Sequence, residues 1–170
     1  MTKKLYIIRH AQAEDLGNTR MVRDFERELT SKGIMQSARL GKFLATESVK
    51  IDLLLSSPAK RALQTAKVLG EQLKYDEEKI LLDENLYGDG PKGYLNAINK
   101  IGDQHQSVAI FGHNPDISFF AEYLTREDIG GSMKKATLIE LAFTDLEWAE
   151  VSAKTADLIR RVDESTIVLS

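Results

Sequence analysis

Short apolar runs alternate with longer amphipathic stretches along this chain. The apolar runs predict buried strands at residues 4–9, 51–56, 79–83 and 107–112. The stretches between them repeat apolar residues at helical spacing and predict helices at about 31–46, 58–74, 93–104 and 115–125. Strands that alternate with helices are typical of an α/β fold with a parallel sheet.

The last third of the chain has a different pattern. Residues 136–143 and 146–152 alternate apolar and polar side chains, and Thr144-Asp145 between them is short enough for a hairpin turn. We therefore expect a three-layer α/β/α architecture whose sheet is mostly parallel with an antiparallel edge. Residues 153–170 leave two alternatives open, a short helix followed by a strand, or a loose tail.

Composition narrows the class of protein. The 170 residues suit one domain, 1–170, and the net charge of −3 on a chain of mixed charges argues against a nucleic-acid partner. No cysteine is present, which excludes a thiolate nucleophile and thiolate metal ligands.

The N-terminal apolar run of four residues is too short for a signal peptide or a membrane span, so we expect a cytoplasmic protein with no membrane partner.

The first strand ends abruptly in Arg9 and His10. Ligands of open α/β sheets bind outside the carboxyl ends of the strands, so this pair is a candidate anion site that includes a nucleophile. A surface loop is the alternative for an isolated Arg-His pair.

Arg61 follows the second strand in a similar way. Ser57 is a suitable N-cap and Pro58 a suitable first helical residue. Arg61 then lies in the first helical turn, where backbone amides and the helix dipole favour an anion. A solvent-facing arginine on a capped helix is the alternative.

His113 ends the fourth strand as His10 ends the first. Asn114 and Pro115 repeat the order of polar cap, proline and helix. The remaining histidine, His105, lies in a polar stretch and is expected at the surface.

Asp83 and Glu84 follow another apolar run. A carboxylate beside a cationic pocket is a candidate proton donor, and a solvated turn residue is an equal alternative.

Two arginines and two histidines at one sheet edge form a pocket suited to a phosphoryl group. Arginine binds phosphate oxygens with two parallel hydrogen bonds, and a neutral imidazole accepts a phosphoryl group as a nucleophile. The chain has no Walker motif, no glycine-rich phosphate loop and no Asp-x-Asp cluster. We therefore expect neither nucleotide hydrolysis of the P-loop type nor metal–aspartate chemistry. We also expect no metal ion or other cofactor.

These segments resemble those of the histidine phosphatase (phosphoglycerate mutase-like) superfamily. The family's Arg-His-Gly motif appears as Arg9-His10-Ala11, and its Leu-Thr-x-x-Gly segment as residues 29–33. Its Ser-Pro-x-x-Arg-x-x-x-Thr segment appears as residues 57–65, and its second histidine lies within residues 112–115. Four motifs in the family's order make a specific resemblance.

The resemblance implies a role for each matched residue. His10 would attack phosphorus and become phosphohistidine, while Arg9, Arg61 and His113 would hold the phosphoryl oxygens. Glu84 loosely matches the position of the family's acid, and Arg27 would add a further phosphate contact.

One motif position departs from the family pattern. Ala11 replaces a glycine that most members have, as in a subset of small bacterial members, and is expected to preserve activity.

The spacing of the motifs bears on the substrate. Only 29 positions separate Glu84 from His113, and a predicted helix and strand fill most of them, so the helical lid of the mutase branch does not fit. An open pocket suits a phosphate displayed on a large partner, because small substrates usually need enclosure. The chain therefore resembles the small SixA-type phosphohistidine phosphatases, and we expect a phosphorylated phosphorelay or phosphotransfer protein as substrate.

Two other functions remain open at this point. The first is a phosphomonoesterase for a small phosphate ester, with residues 89–92 shaping a specificity loop. The second is a non-catalytic phosphate-binding module, which would keep Arg9 and Arg61 but not need His10.

Overall fold

The computed structural model describes residues 1–15 and 24–169, and a six-stranded sheet lies at its centre. The strands are β1 (Thr2–Arg9), β2 (Leu53–Ser56), β3 (Leu81–Leu82), β4 (Ser107–Gly112), β5 (Thr137–Thr144) and β6 (Asp157–Asp163), in the order β3-β2-β4-β1-β5-β6. The first four run parallel, while β5 pairs antiparallel with β1 and β6 antiparallel with β5. The predicted parallel sheet with an antiparallel edge is confirmed.

Helices cover both faces of the sheet. They are α1 (Ser31–Thr46), α2 (Lys60–Gln72), α3 (Gly90–Asn99) and α4 (Asp116–Leu124). Successive residues of a strand face opposite sides, so Ile7 packs in one core with α3 and α4, and Ile8 packs in the other core with α1 and α2. The predicted three-layer α/β/α architecture is thereby confirmed.

The ends of the helices follow their local hydrogen bonds. Helix α1 has the predicted bounds because Thr30 caps it, with its hydroxyl accepting a hydrogen bond from the backbone N–H of Gly33 at 3.1 Å. Helix α2 begins at Lys60, two residues later than the predicted start at Pro58, and Ser57 is not its N-cap. The Ser57 hydroxyl accepts from the Ala59 N–H at 3.2 Å, just before the helix, and also bonds a residue of the site described below.

The predicted hairpin of residues 136–143 with 146–152 is wrong. Strand β5 pairs with β6, and residues 148–150 form a 3₁₀ turn instead of a strand. The burial of Trp148 explains the turn at residues 148–150. Its ring is fully buried, and its indole N–H donates to the His105 carbonyl oxygen at 2.8 Å. Trp148 and Val151 both enter the core three residues apart, which matches a helical turn rather than strand alternation.

The C-terminal segment, residues 153–170, contains a strand. Residues 157–163 form β6 at the sheet edge, and a 3₁₀ turn follows at 164–166. Ser170, the last residue of the segment 153–170, lies outside the described residues. Within residues 1–15 and 24–169, no helix has both the length and the apolar character needed to span a membrane.

Candidate active site

The carboxyl ends of three neighbouring strands bring the candidate residues together. Strand β4 lies between β1 and β2 in the sheet. Hydrogen bonding continues one residue past the strand ends, with His10 N–H donating to the Gly112 carbonyl at 3.1 Å and Ser57 N–H to the Phe111 carbonyl at 2.9 Å. His10, Ser57 and His113 therefore meet at one edge, as the sequence predicts for the two histidines.

His10 is held as a neutral imidazole. Its side chain is buried, with 6% of the residue exposed, and its Nδ1 lies 2.7 Å from the carbonyl oxygen of Ala11. A carbonyl oxygen only accepts, so Nδ1 carries the proton and Nε2 keeps its lone pair. Burial lowers the pKa of His10 to about 3; the Ala11 hydrogen bond opposes this, and His113, Arg61 and Arg9 reinforce it.

His113 lies beside His10, with 5.2 Å between the ring centroids. Its Nε2 is 2.8 Å from the Ser57 hydroxyl oxygen, and its backbone N–H donates to the Tyr94 hydroxyl oxygen at 2.9 Å. Burial, followed by the charge of Arg61, lowers the pKa of His113 to about 3. Both histidines are thus neutral at neutral pH, with Ser57 orienting the second.

Arg9 and Arg61, the two arginines of the sequence motifs, are each anchored at their terminal nitrogens. Arg9 Nη1 donates to the Met133 carbonyl oxygen at 2.9 Å. Arg61 Nη1 donates to the Asp24 carbonyl oxygen at 2.6 Å, and Nη2 to Asp24 Oδ2 at 2.8 Å. These anchors leave the Nε–H of both guanidinium groups unused.

Three buried side-chain polar atoms in residues 1–15 and 24–169 have no hydrogen-bond partner. They are Arg9 Nε, Arg61 Nε and His113 Nδ1. A buried polar group left without a partner costs about 1–3 kcal/mol, so native proteins rarely keep three in one place without a ligand. All three belong to residues predicted to hold phosphoryl oxygens, which indicates an anion site at this edge.

Asp24 is a site residue that the sequence reasoning missed. Its Oδ2 accepts hydrogen bonds from Arg61 and from the Tyr87 hydroxyl at 2.9 Å, and its Oδ1 accepts from Arg27 at 3.0 Å. Partial burial alone would raise the pKa of Asp24, but the hydrogen bonds from Arg27, Tyr87 and Arg61 lower it to about 2. Asp24 is therefore a carboxylate at neutral pH. The spacing of Asp24 and Arg27, three residues apart, was the available sequence signal.

Arg27 adjoins the site through Asp24, and its charge helps to lower the pKa of His113, whereas Glu84 has no such link. Arg27 donates from Nε to the Glu14 carbonyl oxygen at 2.7 Å, in addition to its bond with Asp24. Glu84 is exposed at the start of a 3₁₀ turn, and its carboxylate makes no hydrogen bond or ion pair within the described part of the chain. The neighbouring Asp83 caps that turn and pairs with Lys100 at 3.6 Å. Neither carboxylate forms a hydrogen bond or ion pair with His10 or His113.

Ala11, which replaces the family's glycine, fits without entering the pocket. Its methyl group packs in a small buried cluster with Leu29 and Ala136. Its backbone N–H donates to the Thr65 hydroxyl oxygen at 3.1 Å and so ties the His10 loop to α2. The extra methyl group is thus accommodated by packing.

An aromatic wall borders the site at Tyr87. The Tyr87 ring meets the His113 ring edge-on at 5.5 Å, and Phe25 meets Tyr87 in the same way at 5.4 Å.

Among the described residues, no group of three His, Asp or Glu side chains is placed to hold a metal ion.

The histidine phosphatase superfamily (branch 1) matches residues 5–89, which is half of the chain and includes Arg9, His10 and Arg61. The chain belongs to this superfamily. A protein of Mycobacterium tuberculosis, itself uncharacterized, is 30% identical over 100 residues, which are 59% of this chain and 60% of that relative. The match thus spans three fifths of the relative's length.

Two solved structures have the same fold over nearly the whole chain. A protein from Nakamurella multipartitia that is assigned as a phosphohistidine phosphatase SixA superposes with a TM-score of 0.80 at 24% identity, covering 96% of both chains. A protein from Agrobacterium tumefaciens with the same assignment superposes with a TM-score of 0.77 at 25% identity, covering 95% of this chain and 97% of its own. The predicted likeness to the SixA-type branch of the superfamily is confirmed.

Proposed function

We propose that this protein is a phosphatase that transfers a phosphoryl group to His10 and then to water. In the first step, Nε2 of His10 forms a bond to phosphorus as the bond to the leaving group breaks. In the second step, a water oxygen attacks phosphorus, the phosphorus–nitrogen bond breaks, and inorganic phosphate leaves with His10 neutral again. The three unpartnered atoms around the neutral His10 are the observation that carries this proposal.

Positive charge for the reaction comes from the two arginines. The Nε edges of Arg9 and Arg61 and Nδ1 of His113 are available to phosphoryl oxygens. Such donors act strongly in a site shielded from water, and phosphoryl transfer depends mainly on positioning and charge stabilisation. We therefore expect activity without a metal ion, unchanged by chelators.

The tautomer of His10 supports its role as the nucleophile. Proton donation from Nδ1 to the Ala11 carbonyl leaves the lone pair on Nε2. As Nε2 bonds to phosphorus, the ring becomes positively charged, and the Ala11 carbonyl dipole stabilises that charge.

The acid–base character of the site favours phosphohistidine as the substrate. Asp24 is ionised, and Glu84 forms no hydrogen bond or ion pair with the histidines, which argues against either as the acid that protonates a leaving group. A sugar alkoxide is a strong base and needs such an acid, whereas imidazole, with a pKa of about 6.5, departs readily. Only a 3₁₀ turn, α3 and β4 lie between Glu84 and His113, so this segment supplies no helical lid. We propose phosphohistidine on a phosphorelay or phosphotransfer protein as the substrate.

The test compares phosphate release from a phosphohistidine-carrying phosphotransfer protein and from a sugar phosphate. His10→Ala is the variant, and His105→Ala is the matched control, because His105 lies outside the site. Fast release from the protein alone, lost only in His10→Ala, is the expected result.

Release from the sugar phosphate alone would make the protein a phosphomonoesterase for small metabolites. Release from neither substrate would favour a phosphate-binding module. Turnover retained in His10→Ala would refute the nucleophile.

A further inference from the structure

A cleft adjoins the candidate active site at Arg9. It is lined by Arg9, Lys32, Lys134 and Lys135, together with Asp163 and Glu164, and we refer to it as the cationic cleft. Since the chain as a whole carries a net charge of −3, a basic composition does not explain the concentration of lysines here.

Lys134 and Lys135 are held against the active site through Met133. The buried Met133 offers its carbonyl oxygen to Arg9 at 2.9 Å and to the Asn114 side-chain amide at 2.8 Å. Its N–H donates to the Ser118 hydroxyl oxygen at 2.9 Å. The two lysines that follow Met133 therefore start from a backbone fixed by a candidate phosphate-binding residue.

Lys32 is held against the opposite end of the same loop. It lies in the first turn of α1, and the cap of that helix, Thr30, donates from its hydroxyl to Gln12 Oε1 at 2.8 Å. Gly33 packs so closely on the Gln12 carbonyl oxygen that no side chain fits between them. Gln12 is two residues beyond His10, so the position of Lys32 is tied to the His10 loop.

The two acids of the cleft have their close partners outside its lysines, although the charge of Lys134 contributes to lowering the pKa of Asp163. Asp163 accepts hydrogen bonds from Thr137 at 2.6 Å and from Arg161 at 3.2 Å. Glu164 pairs with Arg39 at 3.0 Å. By contrast, the exposed Lys32, Lys134 and Lys135 form no ion pair or hydrogen bond through their ammonium groups with the residues that the structure describes. Three hydrated, flexible cations thus remain available beside the site.

We propose that the cationic cleft binds acidic side chains next to the phosphohistidine of the protein substrate. This inference rests on the protein substrate of the proposed function. Lysine ammonium groups on flexible stems suit carboxylates spread over a partner's surface, whereas a single compact polyanion is better matched by enclosed arginine forks. Complementary charge of this kind raises the association rate and selects the partner.

The experiment uses two synthetic peptides that each carry one phosphohistidine, flanked by glutamates in one and by glutamines in the other. At low ionic strength we expect kcat/KM for the glutamate peptide to be higher by at least about tenfold. The difference should disappear in the variant Lys32→Glu/Lys134→Glu/Lys135→Glu. It should persist in Lys42→Glu/Lys67→Glu/Lys79→Glu, which changes the net charge equally at exposed positions outside the cleft.

Phosphoramidate, a small phosphorus–nitrogen substrate, reports on the chemistry alone. Its hydrolysis should be equal in all three proteins, which also shows that the variants fold. Discharge of both peptides at one rate by the unmodified protein would overturn the cleft assignment while the proposed function stands. A glutamate preference that survives in the cleft variant would overturn it as well. If neither peptide is discharged while a sugar phosphate is hydrolysed, the proposal of a phosphohistidine protein as substrate is wrong. The assignment of the cationic cleft is then wrong as well.

Discussion

Arg61 donates two hydrogen bonds to Asp24, from Nη2 to the carboxylate oxygen at 2.8 Å and from Nη1 to the backbone carbonyl oxygen at 2.6 Å. The residue Arg61 is 5% exposed, and its Nε–H is the donor left over. Asp24 thus fixes the plane of the guanidinium group so that its Nε edge is available to a phosphoryl group.

Substitution of Asp24 should lower activity in a graded way. Asp24→Ala removes the charge and the side-chain acceptor, and we expect kcat for phosphoramidate to fall by at least about tenfold, since hydrogen bonds to charged groups contribute about 1.5–3 kcal/mol. Asp24→Asn keeps an acceptor for Arg61, so its kcat should fall less than that of Asp24→Ala. Steady-state kinetics of the three proteins measures this order. An increase of kcat/KM in Asp24→Ala would show instead that Asp24 competes with the substrate for Arg61.

The hydrogen bond between Ser57 and His113 leads to a second prediction. Ser57→Ala removes the partner of His113 Nε2, and we expect kcat/KM to fall about two- to tenfold, in line with a neutral hydrogen bond of about 0.5–1.5 kcal/mol. Ser56→Ala is the matched control, because the equally buried Ser56 hydroxyl donates to the Ser57 carbonyl rather than to a histidine. Equal losses in both variants would mean that the effect is one of packing.

Gly33 should not tolerate a side chain. A Cβ at this position would overlap the Gln12 carbonyl oxygen, which is backbone and yields little. We expect Gly33→Ala to lower the free energy of unfolding by about 1–3 kcal/mol, as overpacking does, and to lower activity by shifting the His10 loop. Urea denaturation and phosphoramidate hydrolysis measure the two effects. Met35→Ala, at a position 65% exposed on the same helix, should leave both unchanged.

The buried neutral histidines should make stability depend on pH. His10 and His113 have a pKa of about 3 in the folded protein, against about 6.5 in the unfolded chain. Below pH 6.5 the unfolded chain therefore binds protons that the folded protein does not, so stability falls as the pH drops from about 6.5 towards 3. Each histidine contributes a slope of up to about 1.4 kcal/mol per pH unit.

Urea denaturation at several pH values between 7 and 5 measures this slope above the range in which carboxylates titrate. His10→Gln/His113→Gln should flatten it, because neither glutamine titrates. A free energy of unfolding that is constant over this range in the unmodified protein would show that both imidazoles take up protons in the folded state.

The sequence predicted the sheet edge because strand ends are marked by local signals. Arg9-His10 and Gly112-His113 each terminate a buried apolar run, and parallel strands place such ends at one edge. The start of α1 was equally predictable, since Thr30 caps it through a bond within the same short segment.

Other features depend on contacts between distant parts of the chain. Residues 146–152 alternate apolar and polar side chains as a strand does, but burial of Trp148 against the His105 carbonyl imposes a turn. Ser57 looked like a helix cap, yet its hydroxyl binds His113, 56 residues away. Asp24 meets Arg61 over 37 residues, and no local pattern specifies such a pair.

The most direct test of the central claim is to trap the phosphorylated enzyme. The protein is mixed briefly with a labelled phosphohistidine substrate, quenched in alkali, which preserves phosphohistidine, and analysed by peptide mass spectrometry, with His10→Asn as the comparison. We expect a phosphoryl group on His10 of the unmodified protein, none in His10→Asn, and loss of the label in acid. A label on any other residue, or unchanged turnover in His10→Asn, would contradict it.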